Sequence, residues 1–118
     1  MYLDWLREYC MGFPGVTEEV QWEDHLLFKV GGKIFVIAAM NSDAENIMSL
    51  KSDPEKFEEL IETEGIVPAP YLAKSKWIAV KKSCRLKPAE LKELIKTSYE
   101  LVYEKLPKKV KQNIAGKI

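Results

Sequence analysis

The run His25-Leu26-Leu27-Phe28-Lys29-Val30-Gly31-Gly32-Lys33-Ile34-Phe35-Val36-Ile37-Ala38-Ala39 decides the fold. Mostly apolar, β-prone residues stand on both sides of two glycines. Glycine takes positive φ without steric cost, and two such residues in succession close the tightest hairpins. The pattern therefore predicts an antiparallel hairpin of His25–Val30 with Lys33–Ala39. The glycine pair reads as a turn and not as a nucleotide loop, because no Gly-x-Gly-x-x-Gly or Gly-x-x-x-x-Gly-Lys-Ser/Thr pattern is present.

Outward from the hairpin, Val16, Glu18, Val20 and Trp22 alternate with Thr17, Glu19 and Gln21, which predicts a strand over Val16–Trp22. Ile47–Leu50 and Lys76–Lys82 read as further strands. In the latter, Trp77, Ala79 and Lys81 share one face, leaving Ile78 and Val80 for the core. Pro68 and Pro70 predict irregular or extended chain between them.

Helices flank these strands. Tyr2–Met11 places Leu3, Leu6 and Cys10 on one face, with Gly12 as its cap and Pro14-Gly15 as a turn. A second helix is expected from the Asp53 cap, through Pro54, to Gly65, with Phe57, Leu60, Ile61 and Glu64 on one side. A long helix over Pro88–Lys105 carries the stripe Leu91, Leu94, Ile95, Ser98, Leu101 and Val102. Pro107 ends it, and Val110 and Ile114 allow a short terminal helix. None of these helices can bury its stripe alone. The expected class is α+β: two layers, a largely antiparallel sheet of about five strands with helices packed on one face.

With 118 residues, 47% hydrophobic and 31% charged, the chain reads as a single globular domain over residues 1–118 rather than a disordered one. No apolar run approaches the roughly 20 residues that span a bilayer, so no membrane partner is expected. The start, Met1–Glu8, lacks a basic region followed by an apolar stretch, which predicts a cytoplasmic protein. In that setting Cys10 and Cys84, far apart, are expected as reduced thiols. The formal net charge is zero but divided. Residues 1–64 hold five basic and fourteen acidic residues, a net of −9, and residues 65–118 hold thirteen and four, a net of +9. Such asymmetry points towards a charged partner.

Several stretches, taken in order, resemble the MmcQ/YjbR family: Phe13-Pro14-Gly15-Val16-Thr17-Glu18, Trp22, Phe28-Lys29-Val30-Gly31-Gly32-Lys33-Ile34-Phe35, Leu50-Lys51-Ser52-Asp53-Pro54, Pro68-Ala69-Pro70-Tyr71 and Lys76-Trp77-Ile78-Ala79-Val80. The resemblance implies a compact two-layer fold similar to type III secretion chaperones. It also implies DNA binding, which is attributed to the family from a proposed double-wing shape. It supplies no catalytic motif to carry over, and fold by itself does not fix function.

The most informative cluster is Lys74, Lys76, Lys81, Lys82, Arg85 and Lys87, with Trp77 among them and no acid between Gly65 and Ala89. Phosphates call for several cations along one path, and an aromatic face can stack on a base. The expected nucleic-acid contacts are Lys74, Lys76, Lys81, Lys82 and Arg85 on phosphates, with Trp77 or Tyr71 stacking. The competing reading is a solvated edge strand kept soluble by lysines, with Trp77 in the core. Lys108, Lys109, Lys111 and Lys117 extend the basic character along the C-terminus.

His25, the sole histidine, and Cys84, near Lys81, Lys82 and Arg85, could in principle act in catalysis. Neither has a partner at a recognisable spacing, so an enzyme is not expected, and neither is a metal or other cofactor. The sequence thus predicts a non-enzymatic DNA-binding module. The alternative is an adaptor that receives a protein or small ligand on the sheet face, as a monomer or weak homodimer.

Overall fold

The computed structural model describes residues 2–41, 43–70 and 72–116. Four helices, α1 (Tyr2–Met11), α2 (Phe57–Leu60), α3 (Pro88–Glu104) and α4 (Lys108–Ala115), accompany six strands. The strands are β1 (Val16–Gln21), β2 (His25–Val30), β3 (Lys33–Ala39), β4 (Asn46–Lys51), β5 (Ile66–Pro68) and β6 (Trp77–Lys81). They form one antiparallel sheet in the order β1-β2-β3-β4-β6-β5. Among the described residues no helix is long and apolar enough to cross a membrane.

The decisive hairpin forms as expected. Val30 pairs with Lys33, and Gly31 and Gly32 both take positive φ, 58° and 80°. Gly31 is also a point of close approach: a Cβ there would lie 2.7 Å from a Leu106 methyl. The turn is thereby seated against the end of α3.

One face of the sheet carries the core. Leu26, Phe28, Val30, Val36, Ala38, Met48, Leu50, Ile78 and Val80 pack against Leu6 and Cys10 of α1, Phe57 of α2, Leu91, Ile95, Tyr99 and Val102 of α3, and Ile114 of α4. These positions alternate along each strand and recur at three- and four-residue spacing on α3, as a two-layer packing requires.

Two bulges interrupt the alternation. Phe28 pairs with Val36 and Lys29 with Ile34, so Phe35 is an extra residue in β3. Asn46 pairs with Lys81 and Met48 with Val80, so Ile47 is an extra residue in β4. A bulge lets two successive side chains share a face, so Phe35 joins Val36 in the core. It also leaves backbone groups off the ladder, and helix hydroxyls supply their partners. Ser98, with no exposed surface, donates to the Phe35 carbonyl at 2.6 Å and accepts from the Lys51 N–H at 3.0 Å. The Tyr2 hydroxyl lies 2.8 Å from the Ile47 carbonyl and 2.6 Å from that of Ala39. Burial pushes the Tyr2 pKa up to about 12, so it remains a donor at neutral pH.

The expected antiparallel sheet is refined in one respect, and the second helix is corrected. The sheet has six strands, because Ile66–Pro68 pairs with β6. A proline is tolerated there since β5 is an edge strand with one side free of ladder bonds. The helix expected from Asp53 to Gly65 is only Phe57–Leu60. The preceding residues form a turn, in which the Asp53 carboxylate accepts from the Glu55 N–H and the Asp53 carbonyl from the Lys56 N–H. Beyond Ile61 the chain makes three-residue turns, Glu62 to Glu59 and Thr63 to Leu60. A continuous helix would set Glu55 beside Glu59 and Glu58 beside Glu62 at the i,i+4 spacing, where like charges destabilise it.

Replacing Ser98 by alanine strands a buried carbonyl and a buried N–H. The expected loss is about 1–3 kcal/mol, read as a lower urea midpoint with unchanged slope. The exposed Glu100→Ala in the same helix should shift stability by less than about 0.5 kcal/mol. Equal midpoints for the two variants would show that the hydroxyl bridge contributes nothing.

Candidate nucleic-acid interface

The acid-free segment between Gly65 and Ala89 folds onto the β5–β6 edge of the sheet. Its start is set by local geometry. A short 3-10 turn, Ala73–Ser75, ends at Lys76, which takes a left-handed conformation at φ 61° and donates its N–H to the Ala73 carbonyl. The Lys76 carbonyl accepts from both the N–H and the hydroxyl of Ser52, at 2.9 and 2.7 Å. This clasp fixes where β6 begins and hence where Trp77 stands.

The expected contact residues separate into two groups. At the start of β6, Lys74 is exposed and Trp77 half-buried, while the Lys76 ammonium turns back to lie 4.9 Å from the Phe57 ring centre. At its far end stand Lys81, Lys82 and Arg85. The two ends are roughly 13 Å apart at about 3.3 Å per residue. Lys81 forms an ion pair with Glu45 at 3.1 Å, so an acid of the first half cancels part of this basic group. Lys82 and Arg85 are exposed. Tyr71 and Lys117 lie outside the described residues. The six-residue cluster is therefore two rims of one strand, with Lys76 directed at an aromatic ring.

Trp77 fits neither prior reading completely. It is half-buried, and it pairs with Lys51 of the neighbouring β4. Ile78 and Val80 fill the core as the alternation predicts, and Ala79 is also buried. Beside Trp77 three lysines converge that sequence reasoning did not single out: Lys33 at the start of β3, Lys51 at the end of β4 and Lys105 at the end of α3. Burial, and then the neighbouring Lys105 ammonium, pull the Lys51 pKa down. The three lie 18 and 54 positions apart in the chain. The only local hint was the basic residue at each element's terminus.

The open face of the sheet holds a second feature, a trough of about 600 Å³ lined by Trp22, His25, Ile37, Ala39, Pro70 and Leu72 among others. Trp22 sits just past the end of β1, 63% exposed, with left-handed backbone at φ 53°. A bulky residue rarely adopts that conformation. His25 Nδ1 is 2.7 Å from an Asp24 carboxylate oxygen, and its ring meets Trp22 edge-on at 5.7 Å. Among the described residues no three of His, Cys, Asp and Glu converge as metal ligands would.

Known proteins match this chain over most of its length. A family model described as YjbR matches residues 11–101. The protein named uncharacterized protein YbdF of Escherichia coli O157:H7 is 33% identical over 91 residues, which is 75% of this chain and 72% of that one. The crystal structure of Deinococcus radiodurans protein DR2400, described as a DUF419 domain, superposes with a TM-score of 0.84 at 30% identity. That match covers 96% of this chain and 87% of the other. A Pseudomonas syringae protein shares the fold at 24% identity, with a TM-score of 0.69 over 86% of this chain and 99% of its own.

The two thiols differ sharply in setting. Cys10 is fully buried under the sheet, and burial pushes its pKa up to about 12. Cys84 is half-buried in the turn after β6. At neutral pH an alkylating reagent should therefore add one group to the folded protein, at Cys84, and a second only after unfolding. Rapid labelling of Cys10 in the folded state, read by peptide mass, would contradict this packing.

Proposed function

As the chain belongs to the YjbR family, we propose that it is a non-enzymatic module binding nucleic acid through the β5–β6 edge. The observation that carries this reading is the placement of the acid-free segment. It contains the edge strand β5 and its neighbour β6, with exposed Lys74 before β6, exposed Lys82 and Arg85 after it, and a half-exposed Trp77 at its start. Cations at both ends of a strand suit a phosphate backbone, and a partly exposed indole suits a base.

The fold also limits affinity. The total charge is zero, and ion pairs such as Lys81 with Glu45 and Lys29 with Glu19 interleave the acidic and basic residues. Binding should then be modest and strongly salt-dependent, since its main source is counterion release.

A second reading has its own support. The apolar trough with its exposed, strained Trp22 suits an adaptor that receives a protein or small ligand on the open face. Mass in solution tests the self-association form of this reading, and a monomer at both low and high salt removes it.

For the nucleic-acid reading, the measurement is fluorescence anisotropy of a labelled duplex and its single strand at low and near-physiological salt. Binding should weaken steeply with salt. The triple variant Lys74→Ala, Lys82→Ala, Arg85→Ala should flatten the log–log salt slope by about 0.7–0.9 per lost phosphate contact. Absence of binding at low salt, or a slope unchanged in the variant, would overturn the proposed surface.

A further inference from the structure

At the end of the sheet where β3 begins, β4 ends and β6 begins, the last turn of α3 closes a cavity of about 320 Å³. Lys33, Lys51, Lys105, Ser75 and Trp77 line it together with Ile34, Val102 and Leu106, and no carboxylate does. We propose that this cavity binds a phosphate monoester carried by a flat ring, with Lys33, Lys51 and Lys105 around the phosphate and Trp77 against the ring. That chemistry belongs to a nucleoside monophosphate, either free or as the phosphorylated end of a strand, and the strand-end source rests on the nucleic-acid reading above.

The charge count selects a monoester. Each phosphate within a strand carries a single negative charge, which one or two cations answer. A monoester carries about −1.5 to −2 near pH 7 and offers three strong acceptor oxygens. Three lysines lining the cavity, with no carboxylate among the lining residues, match that demand. The end of α3 adds only about half a negative charge through its last carbonyls. Two of these are already satisfied, that of Val102 by the Lys105 N–H and that of Tyr103 by the Leu106 N–H.

The lysines come from separate, well-anchored elements, so the site exists before any ligand arrives. Lys33 follows the glycine turn and pairs with Val30. The Lys51 N–H is held by the buried Ser98 hydroxyl. Lys105 caps α3. No ion pair with a carboxylate satisfies any of the three among the described residues. The lowered pKa of Lys51, due to burial and then to Lys105, reflects the cost of holding such a group there. An anion between the two would relieve it. Ile34, Val102 and Leu106 form an apolar wall that strengthens the attraction by excluding water. The volume lies at the low end of small-molecule sites, enough for one nucleotide unit but not a duplex groove.

The test compares four probes with the full chain by calorimetry and anisotropy at one salt concentration. They are adenosine 5′-monophosphate, adenosine, and a short single strand with or without a 5′-phosphate. The phosphorylated member of each pair should bind about tenfold tighter or more, as charge-assisted hydrogen bonds to one group imply. Lys51→Met and Lys105→Met should each abolish that difference. The exposed Lys105 also serves as the check on folding, through an unchanged urea midpoint. Preference for the mononucleotide without strand binding would support the cavity and remove the nucleic-acid reading. Equal binding of both strands, with neither small probe bound, would overturn the cavity and leave that reading standing. Failure of all four would overturn both, and a phosphate preference that survives both lysine variants would place the site elsewhere.

Discussion

The register between β3 and β4 is the joint on which the sheet depends. Among the described residues three ladder pairs, Val36 with Leu50, Ile37 with Ser49 and Ala38 with Met48, link β1–β2–β3 to β4–β6–β5. At one end of this short ladder the Ser98 hydroxyl spans the Phe35 carbonyl and the Lys51 N–H. At the other, the Tyr2 hydroxyl sits between the carbonyls of Ala39 and Ile47. The helix layer therefore does more than cover apolar surface. It completes the backbone hydrogen bonding of the sheet at its narrowest point, where a buried unpaired group would be costly.

The same joint organises the surface. The bulge at Phe35 brings its ring against Tyr99, at 5.4 Å between centres, and Phe13 stacks on Tyr99 at 4.6 Å. The Tyr99 hydroxyl in turn donates to the Pro14 carbonyl, tying the loop before β1 to α3. With α3 held in this way, its last turn overhangs the sheet end and carries Lys105 towards Lys51. The packing that stabilises the core thus also sets two like charges side by side. Favourable core contacts elsewhere make such a local arrangement sustainable.

Much of the architecture was legible because its signals are local. Gly31-Gly32 announces a turn that needs positive φ twice, and the strands on either side alternate in step with it. The stripe of α3 and the bounds of α1 follow from spacing and from Gly12 and Pro88. The differences are equally physical. Pro68 and Pro70 leave their segment open between irregular and extended chain, and an edge position makes no demand for the N–H that Pro68 lacks. Asp53, Pro54 and Gly65 are helix punctuation in the sequence, while the glutamates between them oppose a helix. Neither bulge was visible, since an extra residue in a strand leaves no mark except in its partner's register.

The candidate site was legible only in its composition. The run from Lys74 to Arg85 is basic and acid-free in the sequence, yet folding sends Lys76 to a Phe57 ring, pairs Lys81 with Glu45 and leaves Trp77 beside lysines from three other elements. By itself, the sequence determined the fold class, the central hairpin, the helix faces and the family, because periodicity and turn chemistry act between near neighbours in the chain. Only the tertiary structure decided which charges meet, because Lys33, Lys51 and Lys105 are brought together by strand register and helix packing, which depend on contacts between residues far apart in the chain.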